Sequence, residues 1–144
     1  MKRKGFTLVE LMVVVLIVAI LAAVAVPIIR GRIDAAKWSE GKAIMGSIAT
    51  AIRTYAAEQG TNGTLPTSLD DLGFASGDCT GTYFTDSDFQ ISVSSLGGGT
   101  GDDQYVQFSI TCPGGSQTNA PGTPENGYVL TANSDGTMSW AIGS

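Results

Sequence analysis

The apolar run from Phe6 to Ile29 constrains this chain more than any other feature. Across its 24 residues only Thr7 and Glu10 carry polar side chains. As an α-helix at 1.5 Å per residue it would be about 36 Å long, enough to cross a hydrocarbon core of roughly 30 Å. A helix apolar on every side needs lipid or other helices around it, not the one face that a small globular core offers. Lys2, Arg3 and Lys4 precede the run and keep that end on the cytoplasmic side of a bilayer. A secretory signal peptide fits poorly. The run is too long for a signal h-region, and Pro27-Ile28-Ile29 stays apolar after the small residues at 22–26, where a cleavage site would be sought.

Glu10 is the exception that a plain anchor does not explain. A carboxylate at mid-bilayer costs about 2.5–3.5 kcal/mol on insertion scales, and less near the interface. Cleavage between Gly5 and Phe6 would change its setting. Phe6 would become a new N-terminus, and Glu10 would lie one turn into the helix, where the macrodipole favours negative charge. A buried N-terminal amine needs a counter-charge, and Glu10 of the same or a neighbouring chain could supply it. Such a pair would set the register of many identical packed helices.

The stretch "KGFTLVELMVVV" followed by "AVAVP" resembles the type III signal and N-terminal helix of type IV pilins and pseudopilins. The five-residue leader and the phenylalanine start are similar to the type IVa subgroup. The resemblance implies that a prepilin peptidase cuts after Gly5 and methylates Phe6, that Glu10 serves assembly, and that Pro27 bends the helix. It implies a structural subunit of a helical filament, a homo-oligomer built at an inner-membrane platform with its ATPase. The precursor would sit in the bacterial inner membrane and the product in an extracellular pilus, with adhesion or motility as family-level roles. A type II secretion pseudopilin in a periplasmic pseudopilus is the alternative, to which "TLPTSLDDLG" has some likeness. A DNA-uptake subunit is a third reading.

Downstream of Pro27 the pattern changes. Ile44, Ile48 and Ile52 recur at spacing four, with Met45, Tyr55 and Ala56 beside them, one face of an amphipathic helix over 30–59. Gly60 is a C-cap candidate. Helical throughout, Phe6 to Gln59 would extend about 80 Å. From 60 to 144 the chain reads as a β-sheet head. A short helical turn opens at Thr67 or Ser68. Alternation runs through Phe89, Ile91 and Val93, and again through Val106, Phe108, Ile110 and Cys112. Residues 127–142 form a hairpin that turns at Asn133–Gly136 and lines one face with Met138, Trp140 and Ile142. The expected fold is α+β: a long N-terminal helix packed on a sheet of three or four antiparallel strands, in agreement with the resemblance. The organisation expected is a leader (1–5), an assembly helix (6–29), an amphipathic half (30–59) and a head (60–144). The loops at 96–103 and 113–127 are exposed surface.

Charge divides the chain. All eight basic residues fall at or before Arg53, while ten carboxylates follow Thr54. Such a head repels a phosphate backbone, which argues against nucleic-acid binding. Basic residues of the helix could instead pair with acidic heads of adjacent copies. Cys79 and Cys112 lie beyond the membrane segment, on its oxidising side, so a disulfide is the default reading. It would close a loop of about 34 residues and stabilise the head by roughly 3–4 kcal/mol. With two cysteines and no histidine, no zinc site is available. Asp86 with Asp88, and Asp102 with Asp103, are weak calcium candidates, since neither pair follows an EF-hand loop. Asn62-Gly63-Thr64 is a glycosylation sequon. The histidine-free chain also lacks the commonest general base and any nucleophile motif, which argues against an enzyme.

Overall fold

A computed structural model describes residues 5–100, 104–122 and 124–144. One helix, α1 (Leu8–Gln59), precedes four strands: β1 (Gln90–Leu96), β2 (Val106–Cys112), β3 (Tyr128–Ala132) and β4 (Met138–Ile142). Two short 3-10 turns, Asp70–Leu72 and Asp86–Asp88, lie between helix and sheet. The chain divides into two compact units, Met1–Ile33 and Asp34–Ser144. The α+β class holds, with four strands.

In the first unit, α1 is apolar on all sides up to Ile29 but for Glu10, and its side chains from Leu8 to Ile33 are exposed. By length and composition it can cross a membrane. The helix continues through Pro27, which has no N–H to give the carbonyl of Ala23.

In the second unit, residues 34–59 of α1 bury one stripe: Trp38, Gly41, Met45, Ile48, Ala49, Ile52 and Ala56. Ile44 and Tyr55, expected on that stripe, pack at its margin. Gly60 ends the helix at φ 68°, its N–H bonded to Ala56 O at 3.0 Å, as a left-handed C-cap does. The strands form an antiparallel meander in the order β1-β2-β3-β4. Val93, Leu96, Phe108, Ile110, Cys112, Leu130 and Ala132 face the helix and complete the core. Trp38 anchors one end of it, 5.0 Å from the Phe84 ring and 4.9 Å edge-on to Tyr128.

The alternation through Phe89, Ile91 and Val93 is present and ends at a bulge between Val93 and Ser95. The extra residue, Ser94, shifts the parity by one, so Leu96 rather than Ser95 is buried. Met138, Trp140 and Ile142 do share one face, opposite Ala132, Leu130 and Tyr128. The helix does not cover them: they are 38%, 45% and 63% exposed. The cover ends at β3, because one helix about 10 Å wide spans only two or three strands spaced 4.8 Å apart. The Lys42 ammonium fills part of the margin, 3.8 Å from the Tyr128 ring centroid and 5.6 Å from that of Trp140. On the opposite face a row of hydroxyls crosses all four strands, from Ser92 through Ser109 and Thr131 to Ser139.

Candidate functional site

The start of α1 is built by Thr7 and Glu10. Thr7 is the N-cap and Glu10 the third helical residue. The Glu10 N–H donates to Thr7 Oγ1 at 3.3 Å, while Glu10 Oε2 accepts from the Thr7 N–H at 3.3 Å and its hydroxyl at 3.2 Å. This reciprocal pair is a capping box. It occupies a carboxylate that would otherwise be unpartnered, with groups of its own chain. The sequence signal, Thr-x-x-Glu ahead of an apolar run, was available. Thr7 is thus a partner of Glu10 that the helix dipole and an N-terminal amine alone do not account for. Phe6 is exposed beside this box and Gly5 has open space around its Cα. Met1 to Lys4, the rest of the expected leader, lie outside the described residues.

The acidic candidates act as loop clasps. Asp86 accepts from Gly77 N, from Cys79 N at 2.9 Å and from the Thr80 hydroxyl at 3.1 Å. Those bonds, the one from Gly77 foremost, hold its carboxyl below the usual aspartate range. Asp88 accepts at Oδ2 from the backbone N–H of Thr85 and Ser116 and from both their hydroxyls. It thereby ties the 86–88 turn to the 113–122 loop. Among the described residues no group of three or more carboxylate or thiol side chains gathers as a metal site. Asp102 and Asp103 lie outside the described residues.

The 113–122 segment, expected to be free surface, is also tied to the helix. Lys37 Nζ donates to Asn119 O at 2.6 Å, and the Gly122 N–H donates to Asp34 Oδ2 at 3.3 Å. Cys79 and Cys112 are both thiols in this structure, buried in one core. Burial pushes the Cys79 thiol up to about 11 and the Cys112 thiol up to about 12, with Asp86 and Asp88 respectively adding to the effect.

Comparison with known proteins agrees with the N-terminal geometry. Residues 1–26 match the prokaryotic N-terminal methylation motif. The chain is 34% identical over 103 residues to the type IV major fimbrial protein FimA of Dichelobacter nodosus, covering 69% of this chain and 57% of that protein. It is 46% identical over 54 residues to the type II secretion system core protein G of Pseudomonas aeruginosa, covering 38% of each. It is 41% identical over 59 residues to the fimbrial protein EcpB of Eikenella corrodens, covering 41% of this chain and 37% of that protein. The chain therefore spans less than two thirds of each of these relatives. No solved structure matches it significantly.

Proposed function

We propose that this chain, whose N-terminal segment is that of the type IV pilin and pseudopilin family, is a filament subunit that assembles through its helix and performs no catalysis. The observation that carries the reading is the uncovered apolar helix that opens on a Thr7–Glu10 capping box. A helix exposed along its whole apolar length has two stable environments, lipid and a bundle of its own kind. The precursor would sit in the inner membrane. A prepilin peptidase would cut between Gly5 and Phe6 and methylate Phe6, and an assembly platform with its ATPase would move the chain into the filament. Glu10 would then exchange its capping partners for the amine of an incoming neighbour. Pro27 leaves one carbonyl without its helical partner and so supplies the point where α1 yields on packing.

A pilus subunit is the first reading, favoured by the fimbrial relative whose likeness extends over 103 residues and so past α1. A secretion pseudopilin is the second, supported by the similarity to core protein G over 54 residues. Intact mass of the native protein from sheared surface material and from inner membrane separates them. A chain that begins at methylated Phe6 in the sheared fraction supports the pilus. The same processed chain confined to the membrane supports the pseudopilus. An uncut chain in both fractions refutes processing.

We also propose that Cys79 and Cys112 form a bridge once the head is in an oxidising compartment, since both sulfurs belong to one buried cluster. Non-reducing peptide mass mapping tests this. Two alkylatable thiols in the denatured native protein would rule it out.

A further inference from the structure

We infer that the groove between the C-terminal turns of α1 and the segment at 71–74 receives a guanidinium of the Arg30–Arg32 pair from a second copy of this chain. This rests on the proposed self-assembly and names one contact within it.

The groove encloses about 600 Å3 within the second unit. Its polar groups are nearly all acceptors. The Ser47 hydroxyl donates to Ala43 O, Thr50 to Gly46 O, Thr54 to Thr50 O and Tyr55 to Thr64 O, at 3.0–3.2 Å. A carbonyl only accepts, so each hydroxyl hydrogen is committed and the groove meets oxygen lone pairs. The Glu58 carboxylate lines the groove with no ion pair or hydrogen bond among the described residues. Asp71 takes its bonds from Thr67 and Ser68 on Oδ2, which leaves Oδ1 open. Those bonds also hold its carboxyl below the usual aspartate range, so it stays charged. The N–H groups of Gly73 and Phe74 are bonded within their own turn. Among the lining side chains only the Gln59 amide has uncommitted donors.

The matching ligand is cationic and donates without accepting. A guanidinium has five N–H donors in a fixed fork and no acceptor. In the second unit, Lys37 lies over Tyr83 and Lys42 over Tyr128. Arg53 stands five positions before Glu58 on the same stretch of α1. Arg30 and Arg32 are exposed, and their side chains make no hydrogen bond or ion pair among the described residues. Two positions apart, they lie about 200° apart around the helix, so one of them faces a neighbour on either side. Heads without a cation after Arg53 repel one another unless a neighbour's helix supplies one.

Charge exchange in the full-length protein, expressed in its native cells, tests the contact. Assembled material in the sheared or detergent-resistant fraction is measured. Glu58→Arg, at an exposed position with no partner, should reduce that material about tenfold without changing the melting temperature. Adding Arg30→Glu or Arg32→Glu to that variant should restore it to within about twofold of wild type, as expected when a like-charge contact is replaced by an opposite pair. Normal assembly of Glu58→Arg alone overturns the contact and gives the groove to another occupant. Loss that neither arginine exchange restores also overturns it, while the proposed function stands. Absence of multimers from the wild-type chain removes both.

Discussion

Thr7 and Glu10 show how little of a residue's role lies in its type. As a bare carboxylate in an apolar helix, Glu10 is a liability; bonded to the N-cap hydroxyl and N–H, it closes the helix end. In the proposed assembly Glu10 would trade the neutral donors of its own chain for the charged amine of another, and only the second partner joins two chains. Glu10→Ala should leave cleavage after Gly5 intact and abolish assembly, read as processed chain in the membrane and none in sheared material. Normal filaments from that variant would end the pairing argument. Gly41 makes a second residue-scale prediction. A Cβ there would stand 2.8 Å from Phe84 Cζ and 3.0 Å from Cε2, and that ring is fully buried. Gly41→Ala should therefore destabilise the head by about 1–3 kcal/mol through overpacking, measured by thermal or urea unfolding. Unchanged stability would mean that α1 can shift away from Phe84 at no cost.

The elements of the second unit differ in how far sequence alone reveals them. Periodicity marks α1 and the alternation of β2 and β3, because there burial follows the local repeat. It does not mark the bulge at Ser94. Two residues of β1 oppose one of β2 only once the strands are paired, and the flanking serines carry no local signal of it. Trp38 was missed for a related reason: it lies nearly two turns before the isoleucine stripe, and its partners Phe84 and Tyr128 are 46 and 90 positions away. The Thr7–Glu10 box was legible as a motif, whereas the clasps of Asp86 and Asp88 were not, since their donors come from loops. Strand β4 reverses its sequence reading, as an apolar alternation that stays in solvent. Leu130→Ala on β3 should cost about 2–5 kcal/mol. Ile142→Ser, directly on β4, should change stability by less than about 0.5 kcal/mol. Denaturant melts of the two variants make the comparison, and equal losses would show that β4 is covered in solution.

At the scale of the whole molecule, ten carboxylates and no cation follow Arg53, and acid stability depends on how those carboxylates are used. Asp71, Asp86 and Asp135 are all held below the usual aspartate range, chiefly by hydrogen bonds from their own loops and turn. A depressed folded pKa adds stability that is fully present above the unfolded value near 4 and lost as pH falls through the folded value. The melting temperature of the head should hold down to about pH 4 and fall below it. The thiols act at the other end. As free groups raised to about 11 and about 12, they stabilise the fold below the unfolded thiol value, and that stability is lost as pH rises above roughly 8.5. A Cys79–Cys112 bridge removes that alkaline loss. Melts with and without reductant across pH 8–10 should diverge if the native protein is bridged, and coincide if it is not.

The confinement of every basic side chain to α1 and to Lys2, Arg3 and Lys4 also decides how the head meets digestive enzymes. A trypsin-like protease needs lysine or arginine beside the bond it cuts, and beyond Arg53 there is none. The whole stretch from Thr54 to Ser144, folded or unfolded, offers such an enzyme no foothold. A head shed from its helix would outlast it, and only proteases of other specificity, cutting beside aliphatic, aromatic or acidic residues, could break the sheet into fragments.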